Sequence, residues 1–183
     1  IKENTQVEEI FALPGNGGIA ADATCVNIGA KDIDKIVEFA CENKIDFAVI
    51  APDDPLVLGA VDALKAKGIK TFGPEKKAAI IEGSKAFSKD LMKKYHIPTA
   101  AYEIFDDVEK ALEYVETCKI PVVVKADGLA LGKGVTIAET RQDAVDAVKS
   151  MMEDKVFGDS GNQIVVEEFL TGPEVSVLSF VDG

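Results

Sequence analysis

The sequence is poor in the residues that build metal sites and disulfide frameworks. It has one histidine and three cysteines in 183 residues. A lone His96 rules out any two-histidine metal site, and its position before Ile97-Pro98, at the end of an expected helix, gives it a structural role. Cys25, Cys41 and Cys118 are odd in number, widely spaced and without a CxxC pair. They fit reduced thiols in a cytosolic protein rather than a disulfide framework or a zinc site. Cations are also scarce: 20 Lys and Arg against 32 Asp and Glu give a net charge of −12 and an isoelectric point near 4.5. That balance argues against nucleic acid or an anionic membrane as partner, since both reward basic faces. No apolar run approaches the roughly 18 residues of a membrane span, and no signal-peptide pattern opens the chain. Internal repeats and low-complexity tracts are absent. Two phosphate-binding fingerprints are missing as well. No G-x-G-x-x-G occurs. Gly128-x-x-x-Gly132-Lys133-Gly134 has three residues between its glycines where a Walker A loop has four, ends in Gly rather than Ser or Thr, and leads into a strand instead of a helix.

What is present is a core-forming chain, 47% hydrophobic and 28% charged. It is long enough for one large domain or two small ones. Short apolar runs alternate with helical patterns. "EEIFAL" reads as a strand ending in the loop "PGNGG". Residues 32–41 place Ile33, Ile36, Val37 and Ala40 on one helical face, with Asp32 as N-cap. "DFAVIAP" reads as a buried strand, "PLVLGAVDALKAKG" as a helix closed by Gly68, and "IKTFGP" as another strand. This rhythm predicts a parallel sheet covered by helices. "PGNGG" and Pro52-Asp53-Asp54-Pro55 then fall at strand ends, where open α/β sheets bind ligands. A second unit follows a boundary near residues 95–99. Ser84 caps a helix to about Tyr95, and residues 106–118 form another. The strand "PVVVKAD", the glycine loop, the strand "VTIAE", a helix bearing Ala144, Val145, Val148, Met151 and Met152, and the strand-like "QIVVEEFL" and "EVSVLSFV" complete the chain.

The segment "VVVKADGLALGKGV", residues 122–135, is a glycine-rich connection between two strands, with Lys125 before it and Lys133 within it. A cation in a valine-rich strand loses its water unless something anionic meets it. Glycines let backbone amides turn toward phosphate oxygens, and lysines neutralise their charge. A plain hairpin with surface lysines is an equal reading of this stretch alone. Two distant segments favour phosphate. "EGSKAF" sets Lys85 in the first turn of a helix, beside exposed amides that favour anions. "VVEEFLTGPE" is an extended segment whose backbone suits an adenine edge, with Glu174 placed for ribose hydroxyls. Taken one at a time, Glu167, Glu168 and Glu174 read as solvated acids.

Lys85, "VVVKADGLALGKGV" and "VVEEFLTGPEVS", in that order, resemble the ATP-grasp nucleotide site. "PGNGGIA", "GPEKKAAIIEGSKAFSKDLMKKYHIPTAAYEIF" and "FGDSGNQIVVEEFLTGPE" extend the resemblance, over nearly the whole chain, to the phosphoribosylamine–glycine ligase (glycinamide ribonucleotide synthetase) family of that superfamily. The resemblance implies an α/β fold. A parallel-sheet βα substrate domain (residues 1–96) would precede an ATP-grasp small subdomain with a glycine-rich lid (97–165) and the start of the large ATP-grasp subdomain (166–183). It implies ATP-dependent joining of glycine to 5-phosphoribosylamine through a glycyl phosphate, giving glycinamide ribonucleotide, ADP and phosphate in purine synthesis. Lys85 and Lys125 would hold nucleotide phosphates, with Gly132, Lys133 and Gly134 as a lid. Glu167, Glu168, Phe169 and Leu170 would hold adenine, and Glu174 the ribose. Gly15, Asn16, Gly17, Gly18 and Asp53 would face phosphoribosylamine, although many family members read Gly-Pro-Glu-Ala-Pro where this chain has Ala51-Pro52-Asp53-Asp54-Pro55.

The family works with Mg2+, whose ligands and the glycine pocket the resemblance sets outside these residues, so no metal ligand and no catalytic residue is assigned within the chain. A cytoplasmic, monomeric enzyme is expected, with small molecules as partners. The ends read as cut from a longer chain, and the 183 residues alone are expected to lack ligase activity. Two other readings stay open. One is a different ATP-grasp ligase or carboxylase of purine metabolism. The other is a nucleotide-binding module without catalysis.

Overall fold

A computed structural model describes residues 1–129 and 133–181. The chain divides into two compact units, Ile1–Ser88 and Lys89–Gly183. In the first unit, β1 (Phe11–Ala12) pairs in parallel with β2 (Thr24–Cys25), and β3 (Phe47–Val49) in parallel with β4 (Lys70–Phe72). The parallel pairing matches the expected βα rhythm, but the strands form two separate pairs instead of one continuous sheet. Helix α1 (Ile33–Glu42) starts at Asp32, whose side chain accepts from the Lys35 amide. Asp32 thereby satisfies one of the orphan donors of the first turn. Ile36, Val37 and Ala40 face Ile45, Ala48, Ile50, Leu64 and Ile69 in a small core.

The single helix read from "PLVLGAVDALKAKG" is in fact two. Helix α2 (Asp53–Leu58) starts earlier than expected, behind Pro52, and stops at Gly59. There the backbone turns left-handed, with φ +94°. Helix α3 (Ala60–Ala66) restarts at once. Apolar periodicity ran through the glycine and concealed the break, because a left-handed residue leaves the apolar count unchanged. Helices α4 (Lys76–Gly83) and α5 (Lys85–Lys94) follow.

The second unit is built on a four-stranded antiparallel sheet in the order β5 (Tyr102–Phe105), β8 (Ile164–Glu168), β6 (Val122–Ala126), β7 (Val135–Ala138). Strand β6 alternates strictly. Val122, Val124 and Ala126 are buried, while Val123 and Lys125 are half-buried on the other face. The buried set joins Ile164 and Val166 of β8 against α6 (Val108–Thr117) and α7 (Arg141–Val148) in the larger core. Burying each such side chain is worth about 1.5–3 kcal/mol, so this face fixes the register. Helix α7 opens with a capping box between Thr140 and Asp143 and runs on into a π-helical turn, Lys149–Glu153. This places Met151 and Met152 in the core.

The expected strand "EVSVLSFV" does not form. Residues 169–181 carry no regular structure, and Leu178 and Phe180 are each 92% exposed. Alternation alone cannot hold a strand, because the ladder needs a neighbouring strand.

Candidate functional site

The other face of the antiparallel sheet carries a buried ionic cluster. Register sets Tyr102 and Val123 on either side of Glu167, all on one face. Lys125, two residues on from Val123, therefore lies diagonal to Glu167 on that face. Its Nζ stands 3.0 Å from Glu167 Oε2. A second cation meets the same oxygen: Lys89 Nζ, from helix α5, is also 3.0 Å away. Lys89 and Glu167 are each only 6% exposed. Lys89 Nζ also donates to Thr99 Oγ1 at 2.7 Å and lies 5.7 Å from the centre of the Tyr102 ring. A carboxylate stripped of water this thoroughly costs several kcal/mol unless it is paired and hydrogen-bonded, and here two ammonium groups compensate it. The Lys125 side chain keeps 26% of its surface open.

Helix α5 is cut to deliver that lysine. The Ser84 hydroxyl accepts from the Phe87 amide at 3.0 Å, the expected N-cap. Lys89 follows the buried Ala86 by three residues, so helical geometry turns both inward. Beside it, Tyr102 donates its hydroxyl to Asp90 Oδ1 at 2.8 Å. Burial, with the bond to Asp90 adding to it, pushes the Tyr102 hydroxyl up to about 12.

The glycine loop is a hairpin between antiparallel β6 and β7. The Ala126 amide donates to Gly134 O at 2.8 Å and the Asp127 amide to Gln163 O at 2.9 Å, so both ends of the turn are anchored. Gly128 takes a left-handed φ of +89°, a conformation open to glycine at no steric cost. Lys133 is exposed and Gly134 buried. Gly132 lies outside the described residues. A cavity of about 520 Å³ beside the hairpin is lined by Gly128 and by Asp106, Asp127 and Asp159, with no lysine or arginine among the described residues. Three carboxylates repel a polyphosphate.

Beyond the cluster, Glu168 closes β8. Its amide donates to Ala101 O at 2.8 Å, its carboxylate accepts from the Ala101 amide at 3.4 Å, and the chain then leaves the ladder at Phe169 and Leu170. Phe169 is half-buried, while Leu170 and Glu174 are exposed. Among the three acids read as solvated, Glu167 departs from that reading and is buried.

Lys85, half-buried in the first turn of α5, belongs to the first unit, as do the residues read for phosphoribosylamine. Asn16 Oδ1 accepts from the amides of Gly18 and Ile19, both at 2.9 Å, folding "PGNGG" into a closed turn. Gly15 has φ +74°, and a Cβ there would strike Cys25. Asp53 is exposed in the first turn of α2, where a carboxylate complements the helix dipole. Its neighbour Asp54 pairs with Lys31 at 2.9 Å. The residues that sequence reasoning missed are Lys89, Thr99 and Tyr102. One signal was available for Lys89, its three-residue spacing from Ala86 on the face of α5 that packs inward.

Known proteins resemble the chain over nearly its whole length. Residues 1–82 match the phosphoribosylglycinamide synthetase N domain, and residues 83–183 the phosphoribosylglycinamide synthetase ATP-grasp (A) domain. The phosphoribosylamine–glycine ligase of Clostridium acetobutylicum is 48% identical over 99% of this chain, which covers 44% of that protein. That of Streptococcus pyogenes serotype M6 is 50% identical over 97% of this chain and 42% of its own length. The chain thus spans less than half of the curated relatives it matches. The crystal structure of a phosphoribosylamine–glycine ligase from Thermotoga maritima superposes with a TM-score of 0.72 at 30% identity, over 92% of this chain and 39% of that one. The biotin carboxylase domain of a Hydrogenobacter thermophilus 2-oxoglutarate carboxylase has the same fold at 20% identity, with a TM-score of 0.69 over 88% of this chain and 39% of that one.

Proposed function

The chain belongs to the phosphoribosylglycinamide synthetase family, and on that premise we propose that it is the nucleotide-gripping part of an ATP-dependent ligase. That ligase joins glycine to 5-phosphoribosylamine, giving glycinamide ribonucleotide, ADP and phosphate in de novo purine synthesis. The observation that carries the reading is Lys125, a cation held on a sheet face by a buried carboxylate yet still open to solvent, next to a glycine hairpin.

In this reading ATP activates the glycine carboxylate as an acyl phosphate, and the amine of phosphoribosylamine displaces the phosphate. Phosphoryl transfer asks for positioning and charge neutralisation more than for covalent help. Lys125 and Lys85 bind phosphate oxygens, and Gly132, Lys133 and Gly134 cover them. The segment from Glu167 to Leu170, leaving the ladder at Phe169, presents backbone to adenine, and Glu174 takes the ribose. Gly15 to Gly18 and Asp53 serve phosphoribosylamine in the first unit. Magnesium accompanies ATP. The described residues contain no group of three or more His, Cys, Asp or Glu able to hold it, and no step above is routed through it. The same reading sets the protein in the reducing cytosol, in keeping with three cysteines that all carry free thiols. No helix among the described residues is long and apolar enough to cross a membrane.

The test is ADP release from Mg-ATP by the longest natural chain containing this sequence, with and without glycine and freshly generated phosphoribosylamine. Release is expected only with both substrates, and Lys125→Met is expected to lower it by roughly 10²–10³-fold, the usual loss when one preorganised electrostatic contact is deleted. ADP release that ignores both substrates would favour a different ATP-grasp acceptor.

A further inference from the structure

We propose that Lys89 is a positioning residue for the nucleotide site: a buried counter-ion whose task is to occupy Glu167, so that the charge of Lys125 remains available to phosphate. The inference rests on the nucleotide-binding reading above and goes beyond it. Lys89 is not on the surface that meets solvent. It is 6% exposed, and its ammonium group is already engaged by Glu167 Oε2, Thr99 Oγ1 and the face of Tyr102. A cation so enclosed has no room for a phosphate of its own.

The charge balance defines its role. Glu167 Oε2 receives Lys89 and Lys125 at the same 3.0 Å. Two ammonium groups on one carboxylate leave the cluster at +1, and the more accessible member is Lys125, with 26% of its side chain open against 8% for Lys89. Remove Lys89 and the carboxylate pairs with Lys125 alone, which brings the cluster to zero. In a partly dehydrated site, one unit of charge a few ångströms from a phosphate changes binding by ~10-fold or more. Removing Glu167 instead leaves the cluster at +2, and removing both restores +1. The affinity for phosphate should therefore follow the net charge of the cluster rather than the presence of any one side chain.

The experiment is calorimetric titration of ATP and of adenosine into the longest natural chain containing this sequence, as wild type, Lys89→Met, Glu167→Gln and the double variant. The readout is the ratio of ATP to adenosine affinity, which cancels any change at the adenine and ribose end. The expected order is Lys89→Met lowest, by ~10-fold or more, then wild type and the double variant together, then Glu167→Gln. A purely structural lysine would leave the ratio unmoved, or would make Lys89→Met and the double variant fail alike. Either result overturns the proposal. If Lys89→Met does not fold, the double variant and Glu167→Gln decide, because a ratio for Glu167→Gln at or below that of the double variant also overturns it. A wild-type protein that binds ATP while the ratios disobey this order refutes the role of Lys89 alone. A wild type that binds neither ligand refutes the nucleotide site itself, and this role with it.

Discussion

At the scale of single residues, the cluster shows how a sheet position acquires chemistry that its composition does not announce. Lys125 stood out in the sequence as a cation in a run of valines, and strand alternation places it on the face opposite Val122, Val124 and Ala126. Glu167 read as a surface acid and is instead the buried hub. Acids are rarely fully buried without partners, and its partners come from segments 42 and 78 residues away by subtraction of sequence numbers, too far apart for local spacing to connect. Tyr102 is the residue whose environment makes the sharpest solution prediction. Burial raises its ionisation to about 12, against 10.0 for an unperturbed tyrosine, and its hydroxyl donates to Asp90. A raised acid is held neutral by the fold, so its contribution is complete below pH ~10. It is lost as pH climbs toward the folded value, because the unfolded chain releases its proton first. Tyr102→Phe should cost ~1 kcal/mol at neutral pH for the missing hydrogen bond. Urea unfolding from pH 8 to 12 should find the gap to wild type narrowing above pH 10. A gap of constant size across that range would mean that the hydroxyl titrates normally.

At the scale of elements, caps and periods were legible and breaks were not. Asp32 and Ser84, both read as caps, each cap a helix, because a short polar side chain before an apolar stripe has a local partner in the next turn. The split of α2 from α3 at Gly59 was hidden, since a left-handed glycine interrupts hydrogen bonding without disturbing the apolar pattern. Residues 174–181 failed as a strand for the opposite reason: the pattern was right, and an alternating pattern alone forms no ladder. The "PGNGG" turn lies between these cases, and its glycines are not equivalent. Gly15 is obligatory, with φ +74° and a would-be Cβ 3.1 Å from Cys25 Cβ and 3.2 Å from Ala12 Cβ. At Gly17 a Cβ would meet nothing within 4 Å. Gly15→Ala is therefore expected to lower stability by ~1–3 kcal/mol through strain, while Gly17→Ala leaves the unfolding midpoint where it was. In the longest natural chain, a raised KM for phosphoribosylamine in Gly17→Ala would place that substrate on the turn. Wild-type kinetics in a normally folded Gly17→Ala would remove Gly17 from the substrate-binding set.

At the scale of the molecule, the proposed ATP site poses the question of how a chain of net charge −12 would attract a tetra-anion. The two fields have different reach. At physiological ionic strength the Debye length is about 8 Å, so the summed negative charge fades within a short distance of the surface. A contact charge in a partly dehydrated cluster is screened far less. In the proposed site, ATP would be small enough to sit within the field of Lys89, Glu167 and Lys125, whose formal charges sum to one positive unit. A polyanion spans many Debye lengths and must lay most of its charges against acidic surface. Composition made that global sign readable from the sequence, whereas the local reversal required the fold, because it depends on which two lysines share one carboxylate. The consequence is a selectivity by size among anions of one chemistry. In 0.15 M salt, a 30-base-pair DNA duplex and phosphatidylserine vesicles, both probes whose adhesion rests on basic surface, should leave the protein free in gel-shift and flotation assays while ATP still binds. Retention of the duplex that weakens steeply as salt rises would show a basic stripe strong enough to override the net charge. The acidic surface would then not be what keeps long polyanions out.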